Sequence, residues 1–213
     1  MTAPVPVRGI VLENLRRRGL YQRQISRKAD SEGRSYLFDP ISDAPMATEF
    51  AISRFLTPML AETGLALFLD CDMLVRDNLC RLFESIDPSK AVSVVKHRQE
   101  TGAMVKMDGV PQTYYQRKNW SSFMVFNCDH PSNRNLTTEM VNTLPGRDLH
   151  RFCWLDDDEI GELDPAWNWL AGVSDPAIDP KVVHHTLGVP AMPGFERAPF
   201  ADEWWDVVRQ WAA

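Results

Sequence analysis

The chain has 213 residues, of which 44% are hydrophobic and 24% are charged, and this composition is typical of one globular domain with its own core. Its formal net charge of −6 argues against a nucleic-acid polymer as partner, because such a partner favours a basic face. We expect a cytoplasmic protein, since no apolar stretch approaches the roughly 20 residues of a transmembrane helix and the N-terminus does not resemble a signal peptide.

The first 60 residues carry weak local patterns. Residues 5–12 predict a short strand, and residues 13–18 predict one helical turn. Residues 21–45 show no clear period and predict a loop. Residues 47–60 place apolar side chains at helical spacing and predict an amphipathic helix, with Arg54 off its buried stripe.

The most informative stretch is an apolar run that begins at Leu65 and contains Asp70 and Asp72. Without polar alternation, the run predicts a strand that is buried on both faces. Residues two apart on an extended chain point the same way, so both carboxylates leave this strand together, where an open α/β sheet places its ligand crevice. A divalent cation would relieve their repulsion. We hypothesise that the pair holds a metal and the metal holds a diphosphate; in the alternative, the pair caps the next turn.

The rest of the chain alternates between predicted strands and helices. Residues 97–118 form a long polar connection within this part. The alternation favours a mixed, mostly parallel sheet flanked by helices in an α/β fold. We expect the apolar stripe of the last helix to pack on the core. The predicted helices are residues 77–83, 132–144 and 202–211, and the predicted strands are residues 91–95, 120–127 and 181–183.

A run of acids and a pair of histidines add further candidates. Asp156, Asp157 and Asp158, here called the acidic run, either begin a solvated helix or act on a bound sugar. The strand at residues 181–183 delivers His184 and His185. A histidine imidazole could complete a metal site with the two aspartates.

Three stretches together carry the motifs of one family. Residues 68–75 read Phe-Leu-Asp-Cys-Asp-Met-Leu-Val, residues 48–55 place Arg54 on a predicted helix, and residues 185–188 read His-Thr-Leu-Gly. In this order they resemble the DxD motif, the helix arginine and the HxxG motif of retaining glycosyltransferases of the GT-A fold, family-eight type. Residues 120–127 and 163–168 resemble further segments of that family.

The resemblance implies a single GT-A-like domain over residues 1–213 that moves a sugar from a nucleotide-diphosphate sugar, a UDP-sugar, to an unknown acceptor. It implies Mn²⁺, or Mg²⁺, as the cofactor. His185 is preferred to His184 because only His185 is followed by the x-x-G pattern. The implied metal ligands are Asp70, Asp72 and His185, the implied substrate-binding residues are Arg54, Asp70, Ser121, Asp156 and Gly188, and the implied catalytic residues are Asp157 and Asp158.

Two features depart from the family pattern. Ala191 and Met192 stand where the family has a lysine that holds the phosphate. The chain also begins at what resembles the second strand of the fold, so we expect the first, base-binding strand to be absent. An unpaired sheet edge would favour a homo-oligomer.

Two other functions stay open. One is a phosphohydrolase of the haloacid dehalogenase type, in which the first aspartate after a strand is the nucleophile. The other is a non-catalytic remnant that binds a nucleotide sugar or a partner. Both are compatible with a D-x-D segment, which is a short motif with many chance matches.

Overall fold

The structure is a computed structural model and describes residues 5–97, 117 and 119–212. The predicted connection at residues 97–118 lies almost entirely outside the described residues. The chain divides into two compact units, each built from three separate segments, and each unit is described by itself. Unit 1 comprises Met1–Phe68, Ile86–Ser93 and Met124–Gly161, and unit 2 comprises Leu69–Ser85, Val94–Phe123 and Glu162–Ala213. One domain over residues 1–213 stays a prediction.

Short elements make up the described part of the chain, and none of its helices is long and apolar enough to cross a membrane. The strands are β1 Ser26–Ala29, β2 Ser35–Asp39, β3 Ala44–Met46, β4 Leu65–Leu69, β5 Met73–Val75, β6 Val92–Val94, β7 Phe123–Asn127, β8 Ile160–Glu162, β9 Trp169–Leu170 and β10 Val182–His184. The α-helices are α1 Leu12–Arg17, α2 Thr57–Ala61, α3 Leu79–Glu84, α4 Thr138–Thr143, α5 Gly146–His150 and α6 Ala201–Ala212. The 3₁₀ helices are Ser53–Leu56, Trp120–Ser122, Pro131–Asn135, Asp157–Glu159 and Pro165–Asn168.

The strands form three sheets within the described residues. β1, β2 and β3 make an antiparallel meander, and β4, β7, β6 and β8 form a four-stranded sheet in that order. In the third sheet, β10 lies between β5 and β9 and pairs antiparallel with β5 but parallel with β9. The prediction of a mixed α/β fold with helices around mixed sheets is confirmed.

The N-terminal region differs from its predicted structure. Residues 5–11 form no strand and lead directly into α1. The predicted loop at residues 21–45 is instead the meander, because Asp30 accepts hydrogen bonds from the backbone N–H groups of Glu32 and Arg34 at 2.9 Å each and closes a tight turn. The spacing of apolar residues alone does not predict turns of this kind.

The predicted helix at residues 47–60 is shorter than expected. Its first half is coil followed by the 3₁₀ helix Ser53–Leu56, and only α2 is α-helical. Pro58 lies at the start of α2, where a missing N–H costs nothing, so the proline begins a new helix and does not kink an old one. The helix ends at Glu62, whose backbone is left-handed at φ 70°.

The predicted helix at residues 132–144 is also divided, into the 3₁₀ helix Pro131–Asn135 and α4. The side chain of Thr137 caps α4 by accepting from the N–H of Met140. A further helix, α5, starts at Gly146, where a Cβ atom would lie 2.8 Å from Cδ1 of Ile52. Glycine therefore permits this close packing in unit 1.

Unit 2 has a small apolar cluster around its three-stranded sheet. Leu74, Trp169, Ala171 and Val183 are buried in it, and Trp204 of α6 packs against it. The expectation that the whole stripe of α6 packs on the core is wrong, since Val207 is 50% exposed and Trp211 is 89% exposed. The helical spacing of apolar residues predicts an apolar face, but it does not show how much of that face is covered by the rest of the protein.

Candidate metal site

Asp70 and Asp72 lie on either side of a turn in unit 2. Asp70 follows β4, and Asp72 immediately precedes β5, so the predicted strand ends earlier than its apolar run. The prediction that this strand is buried on both faces is wrong, because Leu65 is 40% exposed and the other four residues of β4 are only partly buried. The N–H of Asp70 donates to the carbonyl of Ser122 at 3.0 Å and fixes the start of the turn.

A buried histidine reaches this turn from the opposite strand. β10 pairs with β5 so that His184 lies opposite Met73, one residue after Asp72. Nε2 of His184 is 3.4 Å from Oδ1 of Asp72. One ligand atom each from Asp70, Asp72 and His184 lies within 4.8 Å of the others, and we call these three residues the metal cluster.

The structure places His184, and not the preferred His185, beside the aspartates. Nε2 of His185 lies 3.0 Å from the carbonyl oxygen of Pro199, and Nδ1 has no hydrogen-bond partner within the described residues. Neighbouring side chains on extended chain point to opposite sides, so only one of the two histidines can face the turn. The backbone of His185 still contributes, because its N–H donates to the carbonyl of Asp72 at 3.0 Å.

A chain of hydrogen bonds holds the His184 ring at its other nitrogen, Nδ1. Nδ1 of His184 is 3.1 Å from Oδ1 of Asn168. Nδ2 of Asn168 donates to Oγ of Ser122 at 3.0 Å, and that hydroxyl donates to the carbonyl of Asn119 at 2.7 Å. Asn168 and Ser122 were not among the predicted site residues, although both lie in segments that resemble the family.

His97 adds no positive charge to these surroundings at neutral pH. Burial lowers the pKa of His97 to about 4, and the neighbouring His184 side chain acts in the same direction. His97 is therefore neutral at pH 7. Within the described residues its Nε2 atom has no hydrogen-bond partner.

Two other predicted site residues belong to unit 2. Ser121 is buried in the 3₁₀ helix Trp120–Ser122. A Cβ atom on Gly188 would lie 2.4 Å from Cδ2 of Phe195, so a phenyl ring fills the space beside this glycine. A role of Gly188 in approaching a diphosphate stays a prediction, whereas the packing of Phe195 supplies an observed reason for glycine here.

Arg54 lies in unit 1, in the 3₁₀ helix Ser53–Leu56, and it is only 8% exposed. The placement of Arg54 away from the buried stripe is therefore wrong. Its Nε donates to the carbonyl of Ala51 at 2.7 Å, and its guanidinium carbon lies 5.0 Å from the centre of the Phe68 ring. These contacts hold the guanidinium within unit 1.

The acidic run, also in unit 1, is exposed to solvent. Asp156 precedes the 3₁₀ helix Asp157–Glu159, and the N–H of Asp156 donates to Oε2 of Glu159 at 2.9 Å. The hydroxyl of Ser132 donates to Glu159 and holds the pKa of that carboxyl below its usual range, as does the Asp156 N–H. This geometry is that of acids that begin a helix.

Comparisons with known proteins come from sequence and from structure. No protein-family model matches the chain. "Protein CDI" of Arabidopsis thaliana is 39% identical over 214 residues, which cover 98% of this chain and 76% of that protein. Its name states no activity.

Two solved glycosyltransferase structures have a similar fold. The apo structure of the bifunctional glycosyltransferase WbbM matches 78% of this chain and 36% of its own, with a TM-score of 0.51 and 17% identity. The apo form of the glycosyltransferase GlyE from Streptococcus pneumoniae TIGR4 matches 73% of this chain and 42% of its own, with a TM-score of 0.51 and 14% identity. The chain spans less than half the length of either structure, and the likeness shows a fold that resembles GT-A glycosyltransferases.

Proposed function

The chain belongs to the family of Protein CDI from Arabidopsis thaliana, and we propose that it is a metal-dependent glycosyltransferase. The donor is a nucleotide-diphosphate sugar, a UDP-sugar in the first instance, and the acceptor is a separate, unidentified molecule. The observation that carries this proposal is the convergence of Asp70, Asp72 and His184 in a fold that resembles GT-A glycosyltransferases.

The donor set of the metal cluster suits a divalent cation. Two carboxylates supply the oxygen ligands that hard cations prefer. An imidazole nitrogen is a poor ligand for Mg²⁺ but a good one for Mn²⁺, so the three residues together favour Mn²⁺. Ligand atoms within 4.8 Å of one another can contact one ion.

When bound, the cation would neutralise negative charge on the departing diphosphate as a Lewis acid. The residues of the chain have separate tasks. Asp70, Asp72 and His184 hold the cation, and the backbone bonds from Asp70 to Ser122 and from His185 to Asp72 keep the turn in place before a ligand arrives. Because the turn is already arranged, less conformational entropy is lost when the ligand binds.

The finer assignments rest on the family resemblance. Arg54 would donate to the sugar nucleotide, because a guanidinium is a planar set of donors that suits diphosphate oxygens. Ser121, Gly188 and Asp156 would contact the donor. Asp157 and Asp158 would stabilise positive charge at the anomeric carbon.

The two competing functions have less support. Within the described residues, the third group beside Asp70 and Asp72 is an imidazole, and not the second acidic motif that a haloacid dehalogenase-type phosphohydrolase would need. The likeness to two glycosyltransferase folds favours sugar transfer over phosphoester hydrolysis. A non-catalytic nucleotide-sugar-binding protein would keep the metal cluster and lack turnover, so activity measurements separate it from the enzyme.

Titration calorimetry with UDP, in Mn²⁺ or in EDTA, tests the proposal. We expect UDP to bind only with Mn²⁺, and we expect Mn²⁺ plus UDP to raise the melting temperature by mass action. The variant Asp70→Asn should abolish both effects, while Asp202→Asn, an exposed acid of α6, should retain them. A panel of UDP-sugars should then reveal slow Mn²⁺-dependent hydrolysis of one donor.

Each contrary result has a distinct meaning. Absence of nucleotide binding overturns the proposal and leaves a remnant of the fold. Binding without hydrolysis or transfer of any nucleotide sugar overturns the enzyme and supports a binding protein. Burst release of phosphate from a generic phosphoester supports the phosphohydrolase.

A further inference from the structure

The Ser122 hydroxyl sets the direction of a buried hydrogen-bond chain. A serine hydroxyl has one proton to donate and can accept in return. Oγ of Ser122 lies 2.7 Å from the carbonyl oxygen of Asn119, which can only accept, so the hydroxyl proton points there. The contact of Oγ with the amide of Asn168 at 3.0 Å must then be one in which Ser122 accepts.

This direction decides the orientation of the Asn168 amide. The oxygen and nitrogen of an amide are assigned from their hydrogen-bond partners, because their positions alone do not distinguish them. Since Ser122 accepts, the NH₂ group of Asn168 faces Ser122 and its Oδ1 faces Nδ1 of His184 at 3.1 Å. An amide oxygen only accepts, so Nδ1 of His184 must carry a proton.

We propose that Asn168 is a positioning residue that holds His184 in the Nδ1–H tautomer, so that the Nε2 lone pair is directed at the cation. The inference rests on the proposed function, because the cation is the one that Asp70 and Asp72 would hold. Free histidine in water favours the opposite tautomer, with the proton on Nε2. The protein therefore has to select the metal-binding form, and the Asn168 carbonyl selects it.

Burial of the hydrogen-bonded residues strengthens the selection of the Nδ1–H tautomer. Asn168 is 0% exposed, His184 is 3% exposed and Ser122 is 4% exposed, so water cannot replace the bonds between them. Reversing the amide would set two acceptors against each other at Ser122 or would break the bond from the Ser122 hydroxyl to the carbonyl of Asn119, and either is costly in a dry interior. From Nδ1 of His184 to the carbonyl of Asn119, every bond is therefore kept in only one direction.

The Nδ1–H tautomer also determines whether a proton lies between His184 and Asp72. With the proton on Nδ1, the Nε2 lone pair faces Oδ1 of Asp72 across 3.4 Å, and no proton lies between the two acceptors. Such an arrangement is unfavourable alone and is stabilised by a shared cation. The carbonyl of Ser122 accepts from the N–H of Asp70, so the same residue anchors an acid and, through Asn168, the imidazole.

Nitrogen NMR of the imidazole rings tests the tautomer without any metal. Full-length ¹⁵N-labelled protein in EDTA at pH 8 should show His184 with its proton on Nδ1, and His184→Gln assigns the signal by its loss. In Asn168→Ala the ring should shift toward the Nε2–H form, and Mn²⁺ affinity should fall by roughly 10- to 100-fold. Asn168→Asp keeps an oxygen acceptor at Nδ1 and should keep the proton on Nδ1, although it loses the donation from Nδ2 to Ser122.

A matched control removes a buried asparagine elsewhere. Asn133 in unit 1 is 5% exposed and donates through Nδ2 to the carbonyl oxygens of Ala91 and Asn127. Asn133→Ala should lower stability but leave the His184 tautomer and Mn²⁺ affinity unchanged. If Asn168→Ala does not fold, Asn168→Asp still tests the acceptor.

The outcomes separate this inference from the proposed function. An Nε2–H tautomer in the metal-free wild type overturns the inference, as does a loss of affinity in Asn168→Ala with an unchanged tautomer. A wild type that shows the Nδ1–H tautomer but binds no Mn²⁺ overturns the proposed function, with the hydrogen-bond network left as observed.

Discussion

The chain contains two dense groups of carboxylates, and their surroundings differ. In unit 2, Asp70 and Asp72 share a turn with the buried ring of His184, and the three ligand atoms lie within 4.8 Å of one another. In unit 1, the acidic run is exposed and begins a 3₁₀ helix. Density of negative charge alone therefore does not mark a candidate metal site, and the buried imidazole from a distant segment distinguishes the first group.

The supporting bonds differ in the same way. The metal cluster is held by separate segments of the chain, since Asp70 bonds to Ser122, His184 bonds to Asn168, and β10 pairs with β5. At the acidic run, Glu159 accepts the N–H of Asp156, three residues before it, and the hydroxyl of Ser132. The bonds of the metal cluster fix its geometry before a ligand binds. The bonds at the acidic run satisfy polar groups at the start of a helix.

The largest expected effect separates the two groups directly. Asp72→Asn should remove Mn²⁺ binding, because it deletes a charge and a ligand from the metal cluster. Asp157→Asn should leave the Mn²⁺ affinity at the wild-type value. Titration of Mn²⁺ into each protein measures this, and equal losses in both variants would contradict the assignment of the cluster.

The next effect tests the catalytic role that the resemblance gives to the acidic run. Asp157→Asn combined with Asp158→Asn should lower the transfer or hydrolysis rate by roughly 100-fold, a usual magnitude for a lost catalytic carboxylate. Mn²⁺-dependent UDP binding should not change. A wild-type rate in the double variant would restrict these residues to beginning a helix.

A third prediction concerns the packing of Phe195 against Gly188 in unit 2. Gly188→Ala would bring a Cβ atom to 2.4 Å from the Phe195 ring and should destabilise the protein by about 1–3 kcal/mol. Phe195→Ala in the same chain should recover most of that loss in thermal unfolding. If the double variant is stable but binds UDP poorly, Gly188 also contacts the donor; if Phe195→Ala brings no recovery, the packing argument fails.

The smallest effect is a pH-dependent one in unit 1. Glu159→Gln should lower stability by about 0.3–1 kcal/mol at pH 7, because it removes a negative charge from the start of the helix while its amide oxygen still accepts hydrogen bonds. The pKa of Glu159 is lowered in the folded state, so its contribution is complete above the unfolded pKa of about 4.3 and disappears as the pH falls through the folded value. Melting temperatures of wild type and variant should therefore converge below about pH 4, whereas a constant difference would contradict this origin.

Local patterns predicted some parts of the molecule and failed at others for identifiable reasons. The helices near residues 79–84 and 201–212 and the strands around Val92–Val94 and Phe123–Asn127 follow from spacing and composition. The meander at residues 26–46 was missed because its order depends on turn chemistry and cross-strand pairing. The burial of Arg54 was missed because a helix predicted too long gave it the wrong face.

The sequence alone determined that two carboxylates lie two residues apart at the end of an apolar run and that a pair of histidines follows more than 100 residues later, because both facts are read from local sequence. Only the tertiary structure decided which imidazole meets them. That choice depends on the register of β10 against β5, in which His184 lies opposite Met73. Adjacent side chains on a strand face opposite ways, so a shift of one residue would have exchanged the two histidines.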